Sequence, residues 1–234
     1  MNILAIDTSN DAMGIAIYQQ DKVIAEYVSI NKNKHSTRLM PAIAQVMEDA
    51  NVTPRDLTKI VVAKGPGSYT GVRIGLSVAK TMAWSLQIPV VAVSSLEILA
   101  LQAKAMQQLI CPFFDARRGL VFTGLYQFNS GEFTTVREDQ NILFENWLEQ
   151  VKSLNQAIIF ISPDLSIYQD LIQEKLGELA IFLPEGFHNA RPSLLAIAGK
   201  DRTGEELHSL QPSYLRLVEA EAKWLEEQKE KQHE

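Results

Sequence analysis

At 234 residues, with 46% hydrophobic and 21% charged side chains, the chain has material for one or two buried cores and lacks the bias of a disordered or fibrous sequence. A formal net charge of −6 and a pI near 5.3 exclude a protein that grips nucleic acid through a basic surface of its own. Cys111, the one cysteine, lies in an apolar run, so no intramolecular disulfide forms and the expected compartment is reducing.

Met1 leads directly into the apolar run Asn2-Ile3-Leu4-Ala5-Ile6-Asp7, with no basic leader or cleavage signal, and no apolar run approaches the roughly 18 residues of a membrane span. The expectation is a soluble cytoplasmic protein without membrane contact. Residues 2 to 8, 12 to 19 and 22 to 30 read as strands, the last two joined by a short link. His35 to Ala50 then carries Leu39, Ile43, Val46, Met47 and Ala50 on one face at helical spacing. Strand 58 to 63, helix 70 to 86, strand 89 to 93 and helix 95 to 106 follow. The second half repeats this order: strands 108 to 114, 119 to 128 and 132 to 140, helix 144 to 153, strand 157 to 161 and helix 164 to 176. A short strand at 180 to 183 and a helix from near Pro192 come after it.

Two βββαβα units predict an α/β protein of the actin-like ATPase order (ASKHA, ribonuclease H-like), in which two lobes flank a cleft. The predicted division is 1–104 for the first lobe, 105–216 for the second, and 217–234 for a C-terminal helix and polar tail. In this arrangement Asp7-Thr8-Ser9 and Asp115-Ala116-Arg117 occupy equivalent turns.

Between strand 58 to 63 and the next helix runs Lys64-Gly65-Pro66-Gly67-Ser68-Tyr69-Thr70-Gly71. Glycines there allow either an anion held on backbone N–H groups or a tight packing corner. Gly65, Gly67 and Ser68, with Asp7 and Asp115 from the two turns, are therefore the nucleotide candidates. The loop continues into Val72-Arg73-Ile74-Gly75 instead of the Gly-Lys-Ser/Thr of a P-loop, so weak ATP or ADP binding is the most it predicts. No nucleophile elbow exists at Ser68, which has Pro66 two residues before it and Thr70 two after. His35, His188, His208 and His233 are each at least 20 residues from the next, so no helix carries a paired metal site. Gly71, Gly75, Ala79 and Ala83 strip one side of the helix to small residues, which lets another element approach closely.

Ile6-Asp7-Thr8-Ser9, His35-Ser36-Thr37-Arg38-Leu39-Met40-Pro41, the 64 to 75 loop, Val93-Ser94-Ser95-Leu96, Phe114-Asp115-Ala116-Arg117 and Pro212-Ser213-Tyr214-Leu215-Arg216 together resemble the TsaB (YeaZ) family of bacterial tRNA threonylcarbamoyladenosine biosynthesis. The resemblance implies an actin-like fold and a scaffold role, with no required cofactor, beside a catalytic paralogue, TsaD. That subunit transfers the threonylcarbamoyl group to the adenosine next to the anticodon of ANN-decoding tRNAs, and an ATPase, TsaE, completes the complex. The His-x-x-x-His metal pair of the paralogue is matched here by Ser94-Ser95-Leu96-Glu97-Ile98-Leu99, with no histidine.

The resemblance places the TsaD contact on the helices 35 to 50 and 70 to 86, with a homodimer through the same patch when the chain is alone and tRNA reached only through the complex. Leu39, Ile43, Val46 and Met47 on the first helix, and Gly71, Arg73, Gly75, Ala79 and Ala83 on the second, are the interface candidates. The rival reading is an independent nucleotide-dependent ATPase or kinase using Asp7 and the Gly65 loop.

Overall fold

The computed structural model describes residues 1–31, 35–129 and 132–215. The first strand, β1 (Asn2–Asp7), is apolar on both faces because it lies in the middle of a sheet covered on both sides. It pairs antiparallel with β2 (Met13–Gln19), which pairs with β3 (Lys22–Ser29). The two-residue link Gln20-Asp21 has φ of 48° and 61°, the left-handed pair that lets a hairpin twist with its strands. α1 (His35–Asp49) follows, then β4 (Lys59–Ala63), α2 (Tyr69–Leu86), β5 (Val90–Val93) and α3 (Ser95–Ala100). β4 lies parallel to β1 and β5 parallel to β4, giving the order β3-β2-β1-β4-β5.

The second half lays down β6 (Leu109–Asp115), β7 (Leu120–Asn129), β8 (Glu132–Leu143), α4 (Phe144–Lys152), β9 (Ile158–Ile161), α5 (Leu165–Leu176), β10 (Ala180–Phe182) and α6 (Pro192–Gly199). Its sheet order, β8-β7-β6-β9-β10, is that of the first. The duplication expected from element order is present strand by strand. The expected helix over 95 to 106 stops at Ala100 and tightens into a 3-10 turn over Leu101–Ala103.

Each sheet is covered on one face by its own two helices. α1 and α2 bury Leu39, Ile43, Val46, Met47, Leu76, Ala79 and Ala83 against Leu4, Ile6 and Val62. α4 and α5 bury Trp147, Leu148 and Ile172 against Leu109, Cys111 and Phe113. The opposite faces are covered by exchange. α3, which follows the last strand of the first sheet, packs Leu96, Leu99 and Ala100 on Ile110 and Phe114 of the second. α6, which follows the last strand of the second, packs Leu195 and Ala196 on Ile3, Ala5 and Val61 of the first.

The residues beyond α6 stay with the first sheet. Glu205 N donates to Val90 O at 2.8 Å, and Ser213 N donates to Lys64 O at 2.8 Å. A division at 104/105 therefore follows the chain but not the packing: α3 belongs in space to the second layer, and residues 192–213 belong to the first. A sheet buried on one side still has an apolar opposite face, and the nearest element able to cover it comes from the other half. The predicted C-terminal element 217–234 lies outside the described residues.

Lys59 fastens the exchanged helix, its Nζ donating to the carbonyls of Gly199 (3.3 Å) and Arg202 (2.9 Å). Gly199 lies so close to the sheet that an added Cβ would stand 2.6 Å from Val61 Cγ2. Gly199→Ala is expected to destabilise by roughly 1–3 kcal/mol through overpacking, and Val61→Ala in the same chain is expected to recover part of it. Thermal melts of the two single variants and the double variant check this.

Candidate functional site

The glycine loop meets the turn after β1. Asp7 Oδ1 accepts from Ser9 N (2.8 Å) and Ser9 Oγ (2.7 Å), and Ser9 Oγ is in turn reached by Ser95 Oγ (2.8 Å) and Asn10 Nδ2 (3.0 Å). Thr8 Oγ1 donates to Gly71 O at 2.7 Å, and Ser68 N donates to Ser9 O at 2.7 Å. Ser68 also caps α2, its Oγ accepting from Gly71 N at 3.3 Å. A Cβ at Gly67 would collide with Ser9 O, one at Gly71 with Thr8 O, and one at Gly75 would stand 2.6 Å from Thr8 Oγ1. Of the two roles open to these glycines, the packing corner is visible in the structure: three absent side chains let the backbone of α2 lie directly on the β1–β2 turn. Gly65, at φ 88°, makes the preceding bend, and its carbonyl accepts from Ser95 N at 2.9 Å.

Burial dominates the electrostatics of Asp7, raising its carboxyl above the ordinary carboxylate value even though the Ser9 donors and His35 act the other way. His35 Nε2 faces Asn10 O at 3.0 Å, so α1 begins beside the same turn.

Between the lobes lies a cleft of about 640 Å³. Asn10, Asp11 and Gly67 to Thr70 form one wall; Phe114 to Arg117, Phe122, Pro163 and Asp164 form the other. Of the five nucleotide candidates, Gly67, Ser68 and Asp115 line it, whereas Asp7 and Gly65 sit behind the wall in the hydrogen bonds just described. Asp115 Oδ1 accepts from Tyr168 Oη (2.7 Å) and from Arg117 N (3.0 Å), and Asp115 N donates to Asp164 Oδ2 (2.9 Å). Burial and the neighbouring Asp115 push the Tyr168 phenol up. Arg117, Arg118 and Gly119 all have positive φ, which turns β6 tightly into β7. The cleft thus sets Asp115, Asp164 and Arg117 on one wall against Asp11 and the hydroxyls of Ser68 and Thr70 on the other.

The remaining titratable candidates are held in structural contacts. His188 is buried, with Nδ1 accepting from Ser162 N (3.2 Å) and Nε2 facing Leu183 O (2.9 Å). Cys111 is fully buried, takes a hydrogen bond from Trp147 Nε1 at 3.2 Å, and burial pushes its thiol up to about 11. Among the described residues no three His, Cys, Asp or Glu side chains group closely enough to hold a metal ion.

The interface candidates divide sharply. Leu39, Ile43, Val46 and Met47 are buried in the core of the first lobe, and Gly71, Gly75, Ala79 and Ala83 are buried against its sheet and the β1–β2 turn. These eight are corrected from partner surface to internal packing, because the apolar stripe and the small-residue stripe both face inward. Arg73 alone of the nine is exposed. The outward face of the same two helices instead carries Met40, 48% exposed, Pro41 and Ala44 on α1, and Ser77 and Trp84, 71% exposed, on α2.

Three arrangements left no mark in the sequence pattern. Tyr69 stacks on Tyr214 with ring centroids 5.4 Å apart, while Arg73 lies over the Tyr69 ring at 3.9 Å and donates from Nε to Tyr214 Oη at 2.6 Å. Asp139 on β8 accepts from Ser94 Oγ and from Tyr126 Oη, joining the end of the first sheet to the second. Arg202, beyond α6, pairs with Glu97 on α3. Each joins residues that are distant in the chain, so no local spacing signals them.

The family model of TsaD, tRNA N6-adenosine threonylcarbamoyltransferase, matches residues 17–224. The Bacillus subtilis tRNA threonylcarbamoyladenosine biosynthesis protein TsaB is 52% identical over 229 residues, which is 98% of this chain and all of that protein. This chain belongs to the TsaB family. The solved structure of YeaZ from Pseudomonas aeruginosa superposes with a TM-score of 0.76 at 26% identity, covering 92% of this chain and 99% of that one. A ROK hexokinase from Thermus thermophilus, 10% identical, shares the fold with a TM-score of 0.52, covering 86% of this chain and all of that one. The fold is that of the actin-like ATPases.

The Gly75–Thr8 contact makes a first prediction for this TsaB family member: Gly75→Ala lowers stability by roughly 1–3 kcal/mol, and Thr8→Ala in the same chain reduces the loss, as read from denaturant midpoints. A second concerns pH. Because the folded carboxyl of Asp7 lies above its ordinary value of 3.8, its stabilising protonated form is lost as pH rises through the folded pKa. Asp7→Asn is therefore expected to melt higher than the wild type at pH 7, with the difference shrinking as the pH is lowered towards 4.

Proposed function

We propose that this chain works in tRNA threonylcarbamoyladenosine biosynthesis as a non-catalytic scaffold, binding and activating a TsaD catalytic subunit through the outward face of α1 and α2. The observation that carries this reading is that face. α1 and α2 spend their buried sides on their own sheet and still present Met40 and Trp84 to solvent, the residue types that anchor protein interfaces. TsaE joins the working assembly, tRNA is engaged through the complex, and the free chain pairs with itself over the same face. The setting is cytoplasmic; no helix among the described residues is long and apolar enough to cross a membrane.

The state of the cleft agrees with a role that needs no cofactor. Asp7, the residue an actin-like enzyme would need beside a metal-bound phosphate, is turned into the Ser9 hydrogen bonds. Asp115 is held by Tyr168 and the Arg117 amide. ATP or ADP binds there weakly at most. The 640 Å³ volume favours the rival reading of an independent nucleotide enzyme. Magnesium-dependent ATP hydrolysis by the chain alone, abolished by Asp7→Ala, is the result that reading requires.

Size exclusion with light scattering is the test of the scaffold reading, applied to the chain alone, with the TsaD subunit of the same organism, and with Met40→Asp/Trp84→Ala. The expected result is a heteromer with the wild type and its loss in the variant at unchanged melting temperature. Absence of a wild-type heteromer at micromolar concentration overturns it.

A further inference from the structure

Beside the stacked Tyr69, Arg73 and Tyr214, the segment from Leu210 to Tyr214 runs along α2 in the direction opposite to the helix. The two enclose a groove of about 420 Å³ walled by Leu76, Leu210, Pro212 and Tyr214. Arg73 and Lys80 stand over it seven residues apart, two helical turns, or roughly 10 Å along the axis. Neither meets a carboxylate among the described residues. Arg73 is engaged by the two tyrosines, and Lys80 Nζ donates only to Leu210 O at 3.0 Å.

Elsewhere in this chain of net charge −6, cations do meet carboxylates, as in Lys175–Glu149, Arg191–Glu26 and Arg202–Glu97. Over the groove Arg73 and Lys80, like Lys59 on its carbonyls, keep their charge without a carboxylate partner among the described residues. The guanidinium is also fixed in advance: it lies over the Tyr69 ring and donates to Tyr214 Oη, so little side-chain freedom remains to be lost on binding.

We infer that this groove is the specificity element of the partner face and takes an acidic protein segment, one with two carboxylates about two helical turns apart flanking an apolar side chain. The inference rests on the TsaD partnership proposed above and adds the chemistry of the contact. Charge selects this occupant: the carboxylates pair with Arg73 and Lys80, and the apolar residue between them enters the space beside Leu76 and Pro212. A nucleic acid is the poorer fit, since phosphate binding draws on many cations and here two sit on a protein of net charge −6.

The test is the affinity of the full chain for the TsaD subunit, measured by calorimetry at 50 mM and 500 mM salt. Wild type is compared with Arg73→Glu/Lys80→Glu, Arg73→Gln/Lys80→Gln and Tyr214→Phe, each first shown to melt as the wild type does. At low salt the double Glu variant is expected to bind about tenfold or more weakly and the double Gln variant less so, with both gaps narrowing at high salt. Tyr214→Phe keeps both cations but removes the hydrogen bond that holds Arg73, and is expected to weaken binding by a fewfold, less than the double Glu variant does.

Wild-type binding that ignores charge reversal overturns the inference and leaves the scaffold reading intact; no wild-type binding overturns the scaffold reading itself, and the inference with it. A loss in Tyr214→Phe as large as in the double Glu variant assigns the effect to the stack and overturns the charge argument. A gain in affinity on charge reversal means that the chain's own acidic residues 217–234 occupy the groove. Unchanged TsaD affinity with loss of tRNA from the complex assigns it to phosphate. Either of these last two results also overturns the inference.

Discussion

The contact between α2 and the β1–β2 turn is the constraint on which the first lobe is built. Backbone meets backbone there, with Ser68 N on Ser9 O and Gly71 O receiving Thr8 Oγ1, at a separation that leaves no room for Cβ atoms at residues 67, 71 or 75. Everything near the cleft inherits this approach. It sets where α2 begins and places Ser68 and Tyr69 on the cleft wall. It also turns the carboxyl of Asp7 into a cluster of serine hydroxyls. A glycine-rich loop of this kind looks like a phosphate cradle in sequence because both uses need bare backbone; in space the backbone is bare towards the protein.

A second constraint ties the lobes together. Each sheet must bury two faces, each lobe supplies two helices for one of them, and the other is covered by a helix contributed from across the junction. The exchange leaves polar links at the crossing points: Ser94 on Asp139, Arg202 on Glu97, Lys59 on the end of α6. Desolvation raises the carboxyls of both Asp139 and Glu97. These two groups are retained at a cost in solvation, and their donors come from parts of the chain that only the folded arrangement brings near. The lobes are consequently one folding unit in terms of burial, although the element order reads as two.

The division between inside and outside on α1 and α2 carries the functional reading. Leu39, Ile43, Val46 and Met47 are spaced as a helix face should be, and their apolar character is visible in the sequence. What they pack against is not. An apolar stripe on a helix is satisfied equally by its own sheet or by another chain, and here the sheet takes it, with the small-residue stripe of α2 turned inward as well. The surface left for a partner is the reverse side, marked by Trp84 and Met40 as isolated apolar residues among polar ones and by Arg73, held by a tyrosine more than a hundred residues away. Isolated residues have no periodicity, which is why this face was illegible before the helices were placed.

The sequence by itself determined the local elements and their duplicated order, since strand and helix periods depend on neighbours two to four residues apart, and the turn and cap residues that punctuate them act locally. It also carried the family resemblance, through short motifs spread from β1 to the segment after α6. Tertiary structure alone decided which sheet each crossing helix covers, which stripe of α2 is internal, that Asp7 is buried behind the cleft wall, and that Arg73 lies over Tyr69 and is held by Tyr214 beside a groove. Those outcomes depend on pairing between residues far apart in the chain, and the free energy that selects them, from burial and hydrogen bonding, arises only once the layers meet.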